Sequence, residues 1–349
     1  LIIECFVKVY DGLLGVGVLS ADEITYASVE HTVIADQQLV VAKLWVRDPL
    51  NARQVMFRNV AIGDRVTRFD LFNVRAYRAP HGRDFDASWA SPQATSIPVE
   101  ELRQAINWAG AVWGDPFPAG VNEPVLGSIE IVDVSALPER LGSGLLLKLP
   151  ETSQFKPLPD WKMEIDDAPI LEWLWRWHAP RHHLEFGTWE GFGATLVAQV
   201  TNAEIWTINL PDGESAKDGS PLYASTDAGA FIGHLYRDAG FENRVHQILC
   251  DSRNLNLDQL HGAPFDSVLI DGGHTPDVVR SDSDMAFRVL REGGLCVWHD
   301  FCPDPETLSR NLAPLGVVSS IVANFETLRS QLRELFWIRN SWILVGLRK

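Results

Sequence analysis

Leu184-Glu185-Phe186-Gly187-Thr188-Trp189-Glu190-Gly191-Phe192-Gly193 runs from an apolar, strand-like stretch into a glycine-rich turn and then into a helical pattern. A strand, a glycine turn and a helix in that order read as a nucleotide-cofactor loop. The glycines at 187, 191 and 193 depart from the Gly-x-Gly-x-x-Gly order that serves a pyrophosphate at a helix N-terminus, which argues against a nicotinamide dehydrogenase. Glu185 adds a second argument. A carboxylate at the strand end repels a diphosphate and attracts a cofactor carrying ammonium and sulfonium charges. The alternative is an ordinary glycine-rich strand-to-helix turn.

Working outward, the chain after Pro159 alternates strand and helix signals, the signature of a parallel sheet covered on both faces. Candidate strands are 182–186, 204–209, 245–250, 267–271 and 295–300, and candidate helices include 226–239 and 276–291, the latter stopped by Glu292-Gly293-Gly294. Residues 170–178, with Trp173, Leu174 and Trp177 at helical spacing, form a covering helix, and the tail adds 317–323, a helix over 326–335 and a last strand over 342–347. Ligands of such sheets bind where the strands end. Glu185, Asn209, Asp251 and Asp271 stand at four of those ends, and His299-Asp300 at a fifth.

Before Pro159 the pattern differs. Residues 1–80 alternate short β-prone runs (2–10, 15–19, 39–46, 55–60 and 66–77) with turns, as in an antiparallel sandwich. The order Gly15-Val16-Gly17-Val18-Leu19 and then Met56-Phe57-Arg58-Asn59-Val60 resembles carbohydrate-module-like β-sandwiches beside some sugar-modifying enzymes; a purely structural accessory role is the alternative. Residues 81–159 are rich in proline and glycine and read as a connector or cap, with a helix over 99–109 and a β-prone 128–134. Its Trp108 and Trp113 either line a cleft or simply pack. The domain reading is therefore 1–80, 81–159 and 160–349.

A chain of 349 residues with 46% hydrophobic content is long enough for a sizeable core. Its formal net charge of -16 is spread along the chain, which argues against nucleic acid, since phosphate needs a basic footprint. No uncharged apolar run is long enough for a membrane span, and the opening stretch, broken by Glu4 and Lys8, reads as a strand rather than a signal peptide. Leu1 in place of Met leaves room for an upstream segment. Cys5, Cys250, Cys296 and Cys302 form no Cys-x-x-Cys pair, so reduced structural thiols of a cytoplasmic protein are expected.

The stretch from Glu185 to Gly193, Thr207-Ile208-Asn209-Leu210-Pro211, Cys250-Asp251-Ser252-Arg253, Phe265-Asp266-Ser267-Val268-Leu269-Ile270-Asp271-Gly272-Gly273-His274 and Gly293-Gly294-Leu295-Cys296-Val297-Trp298-His299-Asp300-Phe301 together resemble a class I S-adenosylmethionine-dependent methyltransferase. The subgroup is that of metal-assisted sugar and natural-product O-methyltransferases, and the likeness spans residues 165–349. It implies an α/β fold, a doubly wound, mostly parallel Rossmann-like sheet, with the N-terminal sandwich as an accessory domain. It also implies that Glu185, Gly187, Thr188 and Gly191 hold the methionine portion of the cofactor and that Asp251 and Ser252 flank the adenine, with Asp271 beside them. Where the family carries an acid for the ribose hydroxyls this chain has Asn209, which accepts one hydroxyl, or Asp212 substitutes; both are otherwise turn formers.

In Asp271-Gly272-Gly273-His274 the resemblance implies that Asp271 binds a divalent ion and that His274 removes the acceptor proton. The relatives place two acids at the next strand end, whereas this chain has His299-Asp300. A metal set of Asp271, His299 and Asp300 would suit Mg2+ less than Mn2+, Fe2+ or Zn2+, because imidazole is a poor Mg2+ ligand; the alternative for His299 is a buried histidine supporting Asp300. His182 and His183 open the first strand at the end opposite the crevice and read as edge residues, and with His178 they make no metal cluster, because neighbouring side chains of a strand face opposite ways. The expected function is O-methylation of a hydroxyl on a sugar-containing small molecule, with homo-oligomerisation open. The rival is a non-catalytic carbohydrate-binding or assembly protein on the same architecture.

Overall fold

The computed structural model of the chain describes residues 1–22, 27–28, 31–35, 38–46, 49–60, 66–77, 85–113, 125–149, 158–211 and 232–349. Two units separate, one on residues 1–81 and the other carrying the described residues from 85 onward.

The first unit holds six strands: β1 Ile2–Asp11, β2 Leu13–Ser20, β3 His31–Ile34, β4 Leu39–Trp45, β5 Ala52–Asn59 and β6 Arg68–Tyr77. They pair as two antiparallel three-stranded sheets, β4-β1-β6 and β3-β2-β5. Along β1 the period-2 alternation puts Ile3, Cys5, Val7 and Val9 inward, where they join Leu14, Val16 and Val18 of β2 in one core. The short β3 was not legible, since four residues offer little periodicity.

The second unit is built on nine strands in the order β11-β10-β9-β12-β13-β15-β14-β8-β7, where β7 is Ser96–Pro98, β8 Ser128–Val132, β9 His182–Phe186, β10 Glu204–Asn209, β11 Val245–Leu249, β12 Phe265–Ile270, β13 Leu290–Trp298, β14 Leu332–Ile338 and β15 Leu344–Arg348. Strands β11 to β13 run parallel, and β15 pairs antiparallel with β13. The chain winds outward from β9 in one direction and from β12 in the other, so the topological switch point lies between them. This is a Rossmann-like α/β sheet. The stretch 81–159, read as connector or cap, supplies its last two strands and the helix α1, Val99–Trp113. Trp108 and Trp113 pack against the core, and the Trp113 indole donates to the Leu308 carbonyl at 3.1 Å.

Both faces of the sheet are covered, which is why its central strands are apolar almost throughout. Leu184, Phe186, Val268 and Ile270 share one core with α1, α4 (Pro276–Val289) and α5 (Leu312–Ala323); Leu269 and Val297 share the other with α2 (Ala168–His178) and α3 (Phe192–Val200). Residues 317–323 fall inside α5, which the Asn311 side chain starts by accepting from the Ala313 amide. The helix expected over 326–335 ends at Gln331, because Leu335, Phe336, Trp337 and Ile338 are buried in β14. Of the helix expected over 226–239, residues 226–231 lie outside the described residues and His234–Asp238 is helical. Cys5, Cys296 and Cys302 are buried thiols outside any disulfide. Among the described residues no helix is long and apolar enough to cross a membrane.

Candidate active site

At the switch point the turns after β9 and β12 touch. A Cβ at Gly187 (φ 97°) would stand 2.0 Å from the Asp271 carbonyl oxygen, one at Gly191 (φ 93°) would stand 2.9 Å from the Gly233 Cα, and one at Gly193 would stand 2.0 Å from Glu185 Oε1. Each glycine is thus demanded by a neighbour in space. Strand-like hydrogen bonds continue past the strand ends and keep the edge flush: Gly187 N–H donates to Ile208 O at 2.9 Å, Asp271 N–H to Phe186 O at 2.9 Å and His299 N–H to Ile270 O at 3.1 Å.

Beneath the glycine turn lies a chain of donors aimed at Glu185. Gln247 Nε2 donates to Thr188 Oγ1 at 2.9 Å, the Thr188 and Thr207 hydroxyls meet at 2.8 Å, and Thr207 Oγ1 donates to Glu185 Oε2 at 2.5 Å. Glu185 is 1% exposed. Burial pushes its carboxyl up to about 8, the Thr207 hydroxyl pulling the other way and the charge of Asp271 adding to the rise. Without a cation beside it, then, Glu185 holds a proton at neutral pH. Thr188 is equally turned inward, and its hydroxyl serves the protein. Asn209 accepts from the Trp189 amide at 3.1 Å and donates to the Leu210 carbonyl at 2.9 Å. The Asp251 carboxylate is engaged by the Arg253 guanidinium at 2.6 Å and caps the Arg253 amide at 3.0 Å, with Ser252 opening the short helix that follows. Asp212 lies outside the described residues.

On the other side of the switch point Asp271, His274 and Asp300 bring one ligand atom each within 4.8 Å of one another. His274 Nε2 lies 2.8 Å from Asp300 Oδ2, and the imidazole is partly exposed. Burial works against its charged form, but the hydrogen bond and charge of Asp300 outweigh that and raise its pKa. Asp300 has φ 57°, a left-handed backbone uncommon for a side-chain-bearing residue and frequent at functional sites.

His299 does not join that set. Its Nδ1 faces Asp271 Oδ1 and its Nε2 faces Asp167 Oδ2, both at 3.1 Å, in a pocket where the ring is 6% exposed. A proton lies in each contact, so neither nitrogen keeps a lone pair for a metal. The His299 ring is thus held between Asp167 and Asp271, with Nδ1 also 3.7 Å from Asp300 Oδ1, while His274 is the imidazole grouped with the two carboxylates. Burial opposes the charge on His299, and the carboxylates around it overcome this and lift its pKa well above the usual range. Sequence reading missed Asp167, which a π-turn over Met163–Asp167 buries completely and which also accepts from Trp161 Nε1 at 2.8 Å. In sequence Asp166-Asp167 before a helix signals only a cap. Gln247 and Asp282 were missed too; Asp282 sits on α4, 1% exposed, its carboxylate oxygens without a hydrogen-bond partner, and burial pushes it up to about 7. His178 Nε2 meets Asp266 O and His183 Nδ1 meets Ser267 Oγ, while His183 Nε2 is buried with no hydrogen-bond partner among the described residues.

Residues 184–301 match the model of a family described as a methyltransferase domain. No curated protein matches the chain. Among solved structures, similarity is found to an O-methyltransferase from Bacillus cereus in complex with S-adenosylhomocysteine (16% identity, 62% of this chain and 98% of that one, TM-score 0.36). It is also found to the S-adenosylhomocysteine-bound methyltransferase PaMTH1 from Podospora anserina (14%, 75% and 92%, 0.39) and to the O-methyltransferase TomG from Streptomyces achromogenes in complex with S-adenosylmethionine (16%, 62% and 87%, 0.36). The segment from 184 to 301, which holds the glycine turn and the Asp271, His274 and Asp300 group, is thus similar to a methyltransferase domain.

Proposed function

We propose that the protein transfers the methyl of S-adenosylmethionine to a hydroxyl of a small molecule bearing a sugar, with His274 as general base. The observation that carries this reading is the His274–Asp300 pair beside Asp271, at the strand ends flanking the glycine turn. A hydroxyl is a poor nucleophile until its proton has somewhere to go. With Nε2–H held by Asp300, His274 keeps Nδ1 as the acceptor, and the imidazolium that forms is stabilised by the same carboxylate. With a methyl donor bound, the acceptor hydroxyl would take the methyl, the donor's sulfur would keep the electron pair of the broken bond, and His274 would hold the proton. When bound, the cofactor supplies that electrophilic methyl. The buried Glu185 beneath the glycine turn fits its ammonium-bearing arm, since among the described residues no cation stands beside this carboxylate.

Beside the base, the hard carboxylates of Asp271 and Asp300 would suit a divalent cation such as Mg2+ or Mn2+, with His274 left uncoordinated. Asp271 and Asp300 would hold it, and it would favour the alkoxide form of a bound hydroxyl. The test is S-adenosylhomocysteine release with a panel of glycosylated acceptors. His274→Ala should lower kcat about a hundredfold with cofactor Kd unchanged. Unchanged turnover in that variant removes the base, and full activity in excess chelator removes the cation.

A further inference from the structure

Asp271 stands just past β12 and is followed by Gly272 and Gly273, which offer no side chain to brace its carboxylate. The brace comes from across the sheet edge. His299, just past β13, sets Nδ1 3.1 Å from Asp271 Oδ1, and its own amide donates to Ile270 O at 3.1 Å. On the ring's other side Nε2 meets Asp167 Oδ2 at 3.1 Å. Asp167 is fixed independently of that contact, because its Oδ1 accepts from Trp161 Nε1 at 2.8 Å and from the Trp342 amide at 3.4 Å. A rigid anchor, a ring spanning the gap and a carboxylate at the rim thus form one line, with side-chain exposure rising from 0% through 6% to 19% along it. Such a line restrains its outer end, as hydrogen bonds from supporting residues lock the rotamers of groups that face a site.

We propose that Asp167 and His299 are positioning residues that hold the Asp271 carboxylate in the orientation in which it meets a divalent cation. This rests on the cation reading above. A carboxylate that ligates a metal is steadied by hydrogen bonds from behind, and losing such a partner typically costs about 10–100-fold in metal affinity. The two ring nitrogens divide the task, Nε2 reaching the anchor and Nδ1 the ligand.

The experiment is Mn2+ titration of the full chain, with the free ion counted by electron paramagnetic resonance, for wild type, His299→Asn and His299→Gln. The Asn amide falls near the place of Nδ1 and keeps a donor for Asp271, whereas the Gln amide reaches the place of Nε2 and keeps one for Asp167. Both variants carry the same charge, so their difference reads only which contact survives. His299→Asn should bind Mn2+ about tenfold tighter than His299→Gln. His299→Gln, which leaves the buried Asp167 satisfied, should nevertheless have the higher urea midpoint. Equal affinities, or affinities that follow the midpoints as a merely structural role demands, overturn the proposal. Wild type that takes up no Mn2+ sinks the cation reading, and the proposal with it. If His299→Asn does not fold, proton magnetic resonance of the wild type decides: the Nδ1–H signal of His299 should shift on addition of Mg2+, and a signal that stays unmoved overturns the positioning.

Discussion

Cofactor affinity should depend on pH through Glu185. Burial and the charge of Asp271 hold this carboxyl at about 8 when no cation stands beside it, so at pH 6 about one molecule in a hundred carries it ionised. A bound ammonium favours the ionised form, and binding must expel the proton. Counting half-ionisation of both the carboxyl and the ligand amine at pH 8, Kd should fall about 25-fold, or about 1.9 kcal/mol, between pH 6 and pH 8, as an upper bound for full ionisation in the complex. The ligand's own amino group loses its charge near the same pH, so affinity should pass through a maximum near pH 8 and fall again above it. Isothermal titration with S-adenosylmethionine in two buffers of different ionisation heat should show a net of about 0.8 proton released per binding event at pH 7. Glu185→Gln should bind weakly and with a flat profile. A wild-type Kd that is flat from pH 6 to 8, or a slope that survives in Glu185→Gln, refutes the argument.

Asp282 makes a claim about stability rather than binding. Its folded pKa, about 7, lies above the unfolded value of about 3.9, so the folded state binds the extra proton between them; the stability this contributes is complete below about 3.9 and lost as pH rises through 7. Asp282→Asn should remove that decline, gaining up to about 4 kcal/mol relative to wild type at pH 8 and little at pH 4, read from denaturant midpoints. Gly193→Ala should drive a methyl into Glu185 Oε1 and Leu269, costing about 1–3 kcal/mol in stability together with cofactor affinity; an unchanged Kd would contradict the close approach. Asp167→Ala should destabilise the protein by about 3–5 kcal/mol in urea unfolding, because it strips a buried partner from His299 and from the Trp161 indole. A loss under 1 kcal/mol would mean that His299 needs no strut.

What could be read in the chain followed from local chemistry. The strand-turn-helix around Glu185 and the run from Phe265 to Asp271 are apolar strands that end at polar residues, and period and turn chemistry locate such ends without any knowledge of neighbours. The short strand β7 was hidden because an edge strand of three residues in a proline-rich stretch shows little alternation, and only pairing with β8, itself legible as the β-prone stretch 128–134, makes it a strand.

Amino-acid order alone determined the α/β class, the glycine turn and the set of strand ends at which chemistry can gather, because each depends on residues adjacent in the chain. Tertiary structure alone decided which side chains at those ends face the site. Thr188 and Asn209 turn inward to hold the glycine turn, and His299 is taken by Asp167, a carboxylate 132 residues away in sequence. A hydrogen bond between distant residues is settled by how the sheet and its covering helices pack, and no local pattern records it.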